Sequence, residues 1–379
     1  MTSTLSVPLF AGVLVALSTA GLVALALLLT ARHHVRFTAD SAMHLPQKIH
    51  RGQIPRVGGV AVVSGFVAGL ACTVWWTRDA AVVTPATASL LLLALAPIFA
   101  IGLVEDVTKR ISAQQRLVVL AFGALVLIHA RQLGLGRIDV PLLDVLFENG
   151  WFALTFSVFA CVGVCNAYNI IDGLNGLLGG VALITLAGIA AVAASVGDAK
   201  VLALSTLLGA ALIGWLPFNW PRARMFAGDG GAYALGFLIT ALLLLLAQRN
   251  PGVSPWFGLV AAALPVWETV YSIWRRTRGG LRPTEPDQAH LHQLVRRWMQ
   301  QALVERRAEG SRRPDAAPNG RCSPVLWGLH AGAVGLGVAF RHDTVALVAV
   351  FVGFTLVYGA LHSTLSRMPL ATAAARPIA

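Results

Sequence analysis

Five short polar stretches interrupt an otherwise apolar chain, and each holds side chains with chemical reach. Asn166, Asn169, Asp172 and Asn175 lie with Gly173 and Gly176 between two long hydrophobic runs. Asn and Asp tolerate left-handed backbone and cap helices, and Gly permits close backbone approach. The stretch reads either as a turn with an N-cap for the next helix or as a polar cleft for a charged ligand. Glu105 and Asp106 are adjacent carboxylates at the end of an apolar run, a costly pairing unless a cation joins them. Lys109 and Arg110 could supply that cation; so could Mg²⁺, which takes one or two carboxylates together with phosphate oxygens. Asp229 stands among Gly228, Gly230 and Gly231, either as a helix cap or as a second metal carboxylate. Phe226 just before it offers a stacking face for a base or an anchor at a membrane interface. Lys48 and Arg56 flank a basic segment that runs into the pair Gly58-Gly59. That pattern either anchors a membrane loop or grips phosphate through side chains and backbone N–H groups. His290 and His292 sit two apart in a segment without cysteine, where phosphate or nucleotide contact fits better than a structural zinc site.

Membrane helices must position these stretches. The 379-residue chain is 56% hydrophobic and 12% charged, whereas a soluble domain carries roughly 25% charged residues. Apolar windows fall at about 6–31, 57–77, 84–104, 116–131, 150–165, 177–196, 201–219, 231–248, 256–274, 324–340 and 344–362. They predict an all-α polytopic membrane protein of about eleven transmembrane helices, forming one integral membrane domain over 1–379. The first window is too long for a cleaved signal and reads as the first span. Cys72, Cys161, Cys165 and Cys322 show no paired spacing, so neither a disulfide framework nor a zinc site is implied.

Eleven spans put all five polar stretches in the odd-numbered loops. Of 29 Lys and Arg, only Arg78, Arg131, Arg137, Lys200, Arg249 and Arg341 belong to the even-numbered side, leaving 23 on the odd side. The positive-inside rule then makes the odd loops cytoplasmic, with the N-terminus outside and the C-terminus cytoplasmic. The longest of these loops, 275–323, is polar and Pro-rich at about 305–320, where disorder is expected. The net charge of +12 therefore belongs to one face. Spread over short juxtamembrane loops, it suits anionic lipid head groups and anionic substrates rather than nucleic acid. Five independent structural explanations do not predict that every acidic, Asn-rich or His-bearing motif shares a face. One cytoplasmic site with Mg²⁺, phosphates and a stacked base does.

Four motifs, in order, are Pro55-Arg56-Val57-Gly58-Gly59, Gly102 through Asp106, Asn166 through Gly176 and Phe226 through Gly230, with His290-Leu291-His292 behind them. Together they resemble the polyprenyl-phosphate N-acetylhexosamine-1-phosphate transferases. That superfamily includes the bacterial enzymes that start O-antigen and common antigen, and the phospho-N-acetylmuramoyl-pentapeptide transferase of peptidoglycan synthesis. The resemblance runs from about Lys48 to His292. It implies a multi-pass protein of the bacterial inner (plasma) membrane that moves a sugar 1-phosphate from a UDP-N-acetyl sugar to polyprenyl (undecaprenyl) phosphate, releasing UMP. N-acetylglucosamine is the default sugar. By resemblance, Glu105, Asp106 and Asp172 are catalytic, and Asp106 and Asp229 hold Mg²⁺, or Mn²⁺ in its place. Phe226 matches a uracil-stacking position, and His290 and His292 match a loop that closes over the sugar nucleotide. Lys48, Arg56, Asn166, Asn169 and Asn175 fall to substrate binding. A homodimer stays open.

Three residues depart from the family pattern. Glu105 replaces the first Asp of an Asp-Asp pair, Asn175 replaces the second Asp of Asp-Gly-x-Asp-Gly, and Gln293 stands where many relatives have a third His. The last favours the branch that starts O-antigen and other surface polysaccharides. A lipid phosphate, with a second pKa of roughly 6, is largely dianionic near neutral pH and needs no base at 175. Asn175→Asp is therefore expected to change the rate by less than about tenfold. Two rivals remain. An inactive relative kept as a binding protein is one. A transporter or flippase for an anionic lipid or sugar phosphate is the other, and it would want charge inside the spans. Glu268, after Pro265, is the one carboxylate well inside a span and reads as a buried, hydrogen-bonded acid beside a helix kink.

Overall fold

The computed structural model describes residues 6–39, 54–77, 82–282, 289–308 and 319–368; Lys48 lies outside them. In chain order the helices are α1 (Ser6–Leu29), α2 (Ala31–Thr38), α3 (Gly58–Thr77), α4 (Pro85–Thr108), α5 (Ala113–Arg131), α6 (Pro141–Phe147), α7 (Gly150–Ile170), α8 (Leu177–Ser195), α9 (Ala199–Trp215), α10 (Gly228–Arg249), α11 (Trp256–Ala261), α12 (Ala263–Arg278), α13 (Leu291–Ala308), α14 (Asn319–Ala339) and α15 (Thr344–Arg367). Their starts follow local chemistry. Thr84 caps α4 ahead of Pro85, Asn149 caps α7, and Ser112 with Gln115 forms a reciprocal capping box at α5.

Among the described residues ten unbroken helices are long and apolar enough to cross a membrane. The ninth window, 256–274, is divided between α11 and α12 at Ala262. Pro265 is the reason: it has no N–H for the Ala261 carbonyl, and its ring crowds the preceding turn. Thr185 of α8 donates its hydroxyl to that carbonyl at 2.9 Å. Broken helices survive at membrane depth when a neighbour satisfies the freed backbone in this way.

Several loops are shorter than the apolar windows suggest. α4 continues past residue 104 and carries Glu105 and Asp106 in its last turn, and α7 carries Asn166 and Asn169. The segment 275–323 contains α13 and the start of α14. Residues 305–308 and 319–320, expected to be disordered, are helical, and 309–318 lie outside the described residues. The burial of Leu291, Leu294 and Val295 on one face of α13 accounts for the ordered part.

α10 runs through the centre, buried on nearly every side and packed chiefly on α3, α4, α7 and α8. Small residues make that approach feasible. A Cβ on Gly102 would lie 2.5 Å from the Gly230 Cα, and one on Gly59 would lie 2.4 Å from the Gly231 Cα. α3, α4 and α10 therefore cross backbone to backbone just below the polar end. Outward-facing Phe10, Leu22, Val118, Phe122, Phe159 and Leu356 are exposed, as lipid-facing residues should be.

The even-numbered connections gather at the opposite end. There Arg249 pairs with Asp198 at 2.8 Å, Trp256 Nε1 donates to the Ile138 carbonyl at 2.8 Å, and Ser254 meets Thr344 at 2.6 Å. Burial opposes ionisation of Asp198, but Arg249, Asn250 and the Val201 N–H outweigh it and hold the carboxyl below its ordinary value.

Candidate active site

The odd-numbered stretches converge. Residues 55–59 lie along 226–227: Phe226 N–H donates to the Pro55 carbonyl at 2.9 Å, and Gly58 and Gly59 donate to the carbonyls of Phe226 and Ala227 at 2.8 and 2.9 Å. This pairing brings Arg56 to the start of α10. Gly228 there has φ +74, and a Cβ on it would meet the Arg56 carbonyl at 2.3 Å. Only glycine fits, on both counts.

Asp106 closes the junction from α4. Its two oxygens accept the backbone N–H groups of Asp229 and Gly230 at 2.9 and 3.0 Å, so it caps α10 from a neighbouring helix. Asp229 receives two arginines, Arg56 at 2.6 Å and Arg116 at 3.1 Å. Arg56 Nε also lies 3.4 Å from Asp106. The cations beside the carboxylates are thus Arg56 and Arg116; the sequence pointed to Lys109 and Arg110. Arg116 sits one turn into α5, where a basic residue opening an apolar run looks like an ordinary membrane anchor. Glu105 turns aside. One of its oxygens accepts the Ile111 N–H at 2.8 Å, and the other stands 4.0 Å from Arg116.

Asp172 completes the carboxylate group. Its Oδ1 is buried with no hydrogen-bond partner. Burial is the main cause that pushes its carboxyl up to about 7; Arg56 opposes the shift, Asp106 and Asp229 add to it, and the Gly228 N–H opposes it. The fields of all these groups reach Asp172, so it belongs to the same site.

The Asn residues divide. Asn169 donates to the Tyr233 hydroxyl at 3.0 Å, one turn along α10 from Asp229. Asn166 donates to the Val162 carbonyl of its own helix at 2.8 Å. Asn175 is buried and donates to the Pro221 carbonyl at 3.1 Å, while its own carbonyl accepts from Ser323 at 2.7 Å. It fastens the 171–176 turn to the segment leading to Phe226 and to α14. Asn219, which the sequence did not single out, does the same work by accepting the Gly176 N–H at 2.7 Å and donating to the Met225 carbonyl at 2.8 Å.

Both histidines are buried and their rings stack, centroids 5.4 Å apart. His292 reaches the Asp172 turn: a Cβ on Gly173 would lie 2.7 Å from its Nε2. His290 is bound to Glu268 of α12 at 2.8 Å. Glu268 is therefore the hydrogen-bonded acid beside a kink that its position after Pro265 suggests, and its partner lies 22 residues further along the chain.

As to a metal, Asp106, Asp172 and Asp229 offer oxygen alone, the donor type for Mg²⁺ or Mn²⁺. The unbonded, buried Oδ1 of Asp172 is the observation that fits an ion here. Among the described residues no three such side chains converge on one point, and Arg56 stands between Asp106 and Asp229.

The family model described as glycosyl transferase family 4 matches residues 88–247, a range that contains Glu105, Asp106, Arg116, Asp172 and Asp229. Over 247 residues the chain is 31% identical to a probable undecaprenyl-phosphate N-acetylglucosaminyl 1-phosphate transferase of Bacillus subtilis, covering 65% of this chain and 66% of that one. It is 30% identical over 259 residues to the undecaprenyl-phosphate alpha-N-acetylglucosaminyl 1-phosphate transferase of Salmonella typhi, covering 66% and 67%. The Escherichia coli K12 protein of the same description is 30% identical over 263 residues, again covering 66% and 67%. The chain spans about two thirds of the length of the curated relatives it matches.

Proposed function

The chain belongs to glycosyl transferase family 4, and from that premise we propose that it transfers an N-acetylhexosamine 1-phosphate from a UDP-sugar to undecaprenyl phosphate, releasing UMP. An oxygen of the lipid phosphate forms a bond to the β-phosphorus of the UDP-sugar. The bond from that phosphorus to the bridging oxygen breaks, and UMP leaves with the electron pair. Because an anion attacks an anion, the site must neutralise charge and align the two groups.

The residues at the head of α10 suit that task. Arg56 and Arg116 bring two guanidinium groups to one carboxylate, and each can exchange part of that contact for phosphate oxygens. Asp106 keeps α10 and Arg56 in register through the backbone N–H groups of Asp229 and Gly230. Asp106 and Asp229 would hold Mg²⁺ or Mn²⁺, which takes one or two carboxylates beside phosphate oxygens and when bound supplies positive charge to the diphosphate. Half-buried Phe226, held by backbone bonds on both sides, offers its ring to the uracil. His292 approaches over Gly173. The basic face is cytoplasmic, the N-terminus lies outside, and the protein sits in a bacterial inner membrane.

The single observation that carries the reading is the meeting of Asp106, Asp229, Arg56 and Arg116 at the head of one central, lipid-sheltered helix. The test is a transfer assay on membranes with labelled UDP-N-acetylglucosamine and undecaprenyl phosphate, with and without Mg²⁺. Label in the organic phase with matching UMP release is expected. No label with any UDP-N-acetyl sugar, at any Mg²⁺ or Mn²⁺ concentration, overturns it.

A further inference from the structure

His290 and His292 are neighbours held in different ways. The two ring nitrogens of His290 both face protein: Nδ1 lies 2.8 Å from Glu268 Oε1 and Nε2 lies 3.2 Å from Arg276 Nη2. A guanidinium only donates, so Nε2 accepts and Nδ1 carries the proton that goes to Glu268. The same Glu268 oxygen accepts the Leu291 N–H at 3.3 Å, and Gln293 Oε1 accepts the His290 N–H at 3.3 Å. The preceding carbonyl, Ala289, accepts from Arg275 at 2.6 Å and from His362 of α15 at 2.8 Å. His290 therefore has no nitrogen to spare for a ligand. His292 lies flat on it, the ring planes 14° apart, with its Nε2 at the Asp172 turn.

We propose that Glu268 and His290, with Arg276, form a buried positioning unit that sets His292 over the Asp172 turn, so that His292 alone of the two histidines meets the UDP-sugar. The inference rests on the proposed transfer reaction. A carboxylate on one imidazole nitrogen fixes the tautomer and the ring plane, and stacking passes that plane on to His292. The acid is stationed by the break at Ala262, which starts α12 two residues before Pro265 and three more before Glu268. An unpaired buried carboxylate would be strongly destabilising there. Glu268 is 2% exposed, so the unit pairs it with His290 and shields it from water.

The test compares Glu268→Ala, Glu268→Gln, His290→Ala and the Glu268→Ala/His290→Ala double variant in transfer assays and in hydrogen exchange of the peptide covering 289–295. Each alanine variant is expected to lower kcat/KM for the UDP-sugar between about 10- and 100-fold, largely through KM, with KM for undecaprenyl phosphate within about twofold of wild type. The double variant should be no worse than the poorer single variant by more than about threefold, because the residues act as one unit. Glu268→Gln keeps an acceptor oxygen and should stay within about fivefold of wild type. His292→Ala should lose more than either. Exchange over 289–295 should quicken in both alanine variants. Multiplicative losses, equal shifts in both KM values, or unchanged exchange overturn the proposal. Should Glu268→Ala not fold, the cycle is run with Glu268→Gln, where a smaller but still non-additive loss is expected and an additive one overturns it. A wild type without transfer activity removes the proposed function, and the exchange comparison then decides the positioning unit alone.

Discussion

Asp172 is a carboxyl that the folded chain prefers to keep protonated. Burial holds it up to about 7. The stability this lends is whole below the unfolded carboxyl pKa of roughly 3.9 and is lost as pH rises toward 7. Asp172→Asn is thus expected to abolish transfer and yet to stabilise the metal-free protein above about pH 7 by on the order of 1 kcal/mol or more, read as a higher Tm. A thermal melt lower than wild type at that pH would contradict this assignment. Asp106 is distinguished by its hydrogen bonds. Its two oxygens each accept a backbone N–H, and Asn offers only one acceptor while turning an NH₂ toward a donor. Asp106→Asn should lose activity and about 1–3 kcal/mol of stability, read as a fall in Tm, whereas Asp229→Asn should lose activity with a smaller fall. Asn175→Asp, a mild change by sequence, puts a carboxylate against the Pro221 carbonyl. A fall in Tm corresponding to about 1–3 kcal/mol is expected. The carboxylates, Arg56 and the histidines were legible because their residue types and flanking glycines carry chemistry. The fastening duties of Asn175 and Asn219 were not, because their partners are backbone atoms of segments far away in the chain.

At the level of elements, apolar windows found where helices lie but not where they end. A carboxylate in the last turn of a helix looks the same in sequence as one in a loop, so Glu105 and Asp106 were placed just beyond α4. The broken ninth span carried a visible sign in Pro265, but its repair by Thr185 is a tertiary event. That hydroxyl also meets the Tyr168 hydroxyl at 3.1 Å and His330 Nε2 at 3.0 Å, joining α7, α8 and α14 to the break. Thr185→Val keeps the shape and strands the Ala261 carbonyl, so the Tm should fall by an amount corresponding to about 1–3 kcal/mol. A valine variant as stable as wild type would show that the carbonyl finds another donor.

For the molecule as a whole, the division of charge gives the orientation its test. A Cys placed at exposed Arg282 should resist an impermeant thiol reagent in intact cells and react in inverted vesicles, and one at exposed Glu148 should do the reverse. The opposite pattern would invert the topology. The central position of α10 also reaches back to how the protein is made. The helices that enclose it most, α3, α4, α7 and α8, all emerge from the ribosome before it. The half-built protein must therefore keep a slot between helices already in the bilayer, with Gly59 and Gly102 on its walls and a width of little more than a bare backbone. A methyl group at either glycine would be met first by the nascent chain, as a helix that cannot slide home, and only afterwards by the substrate.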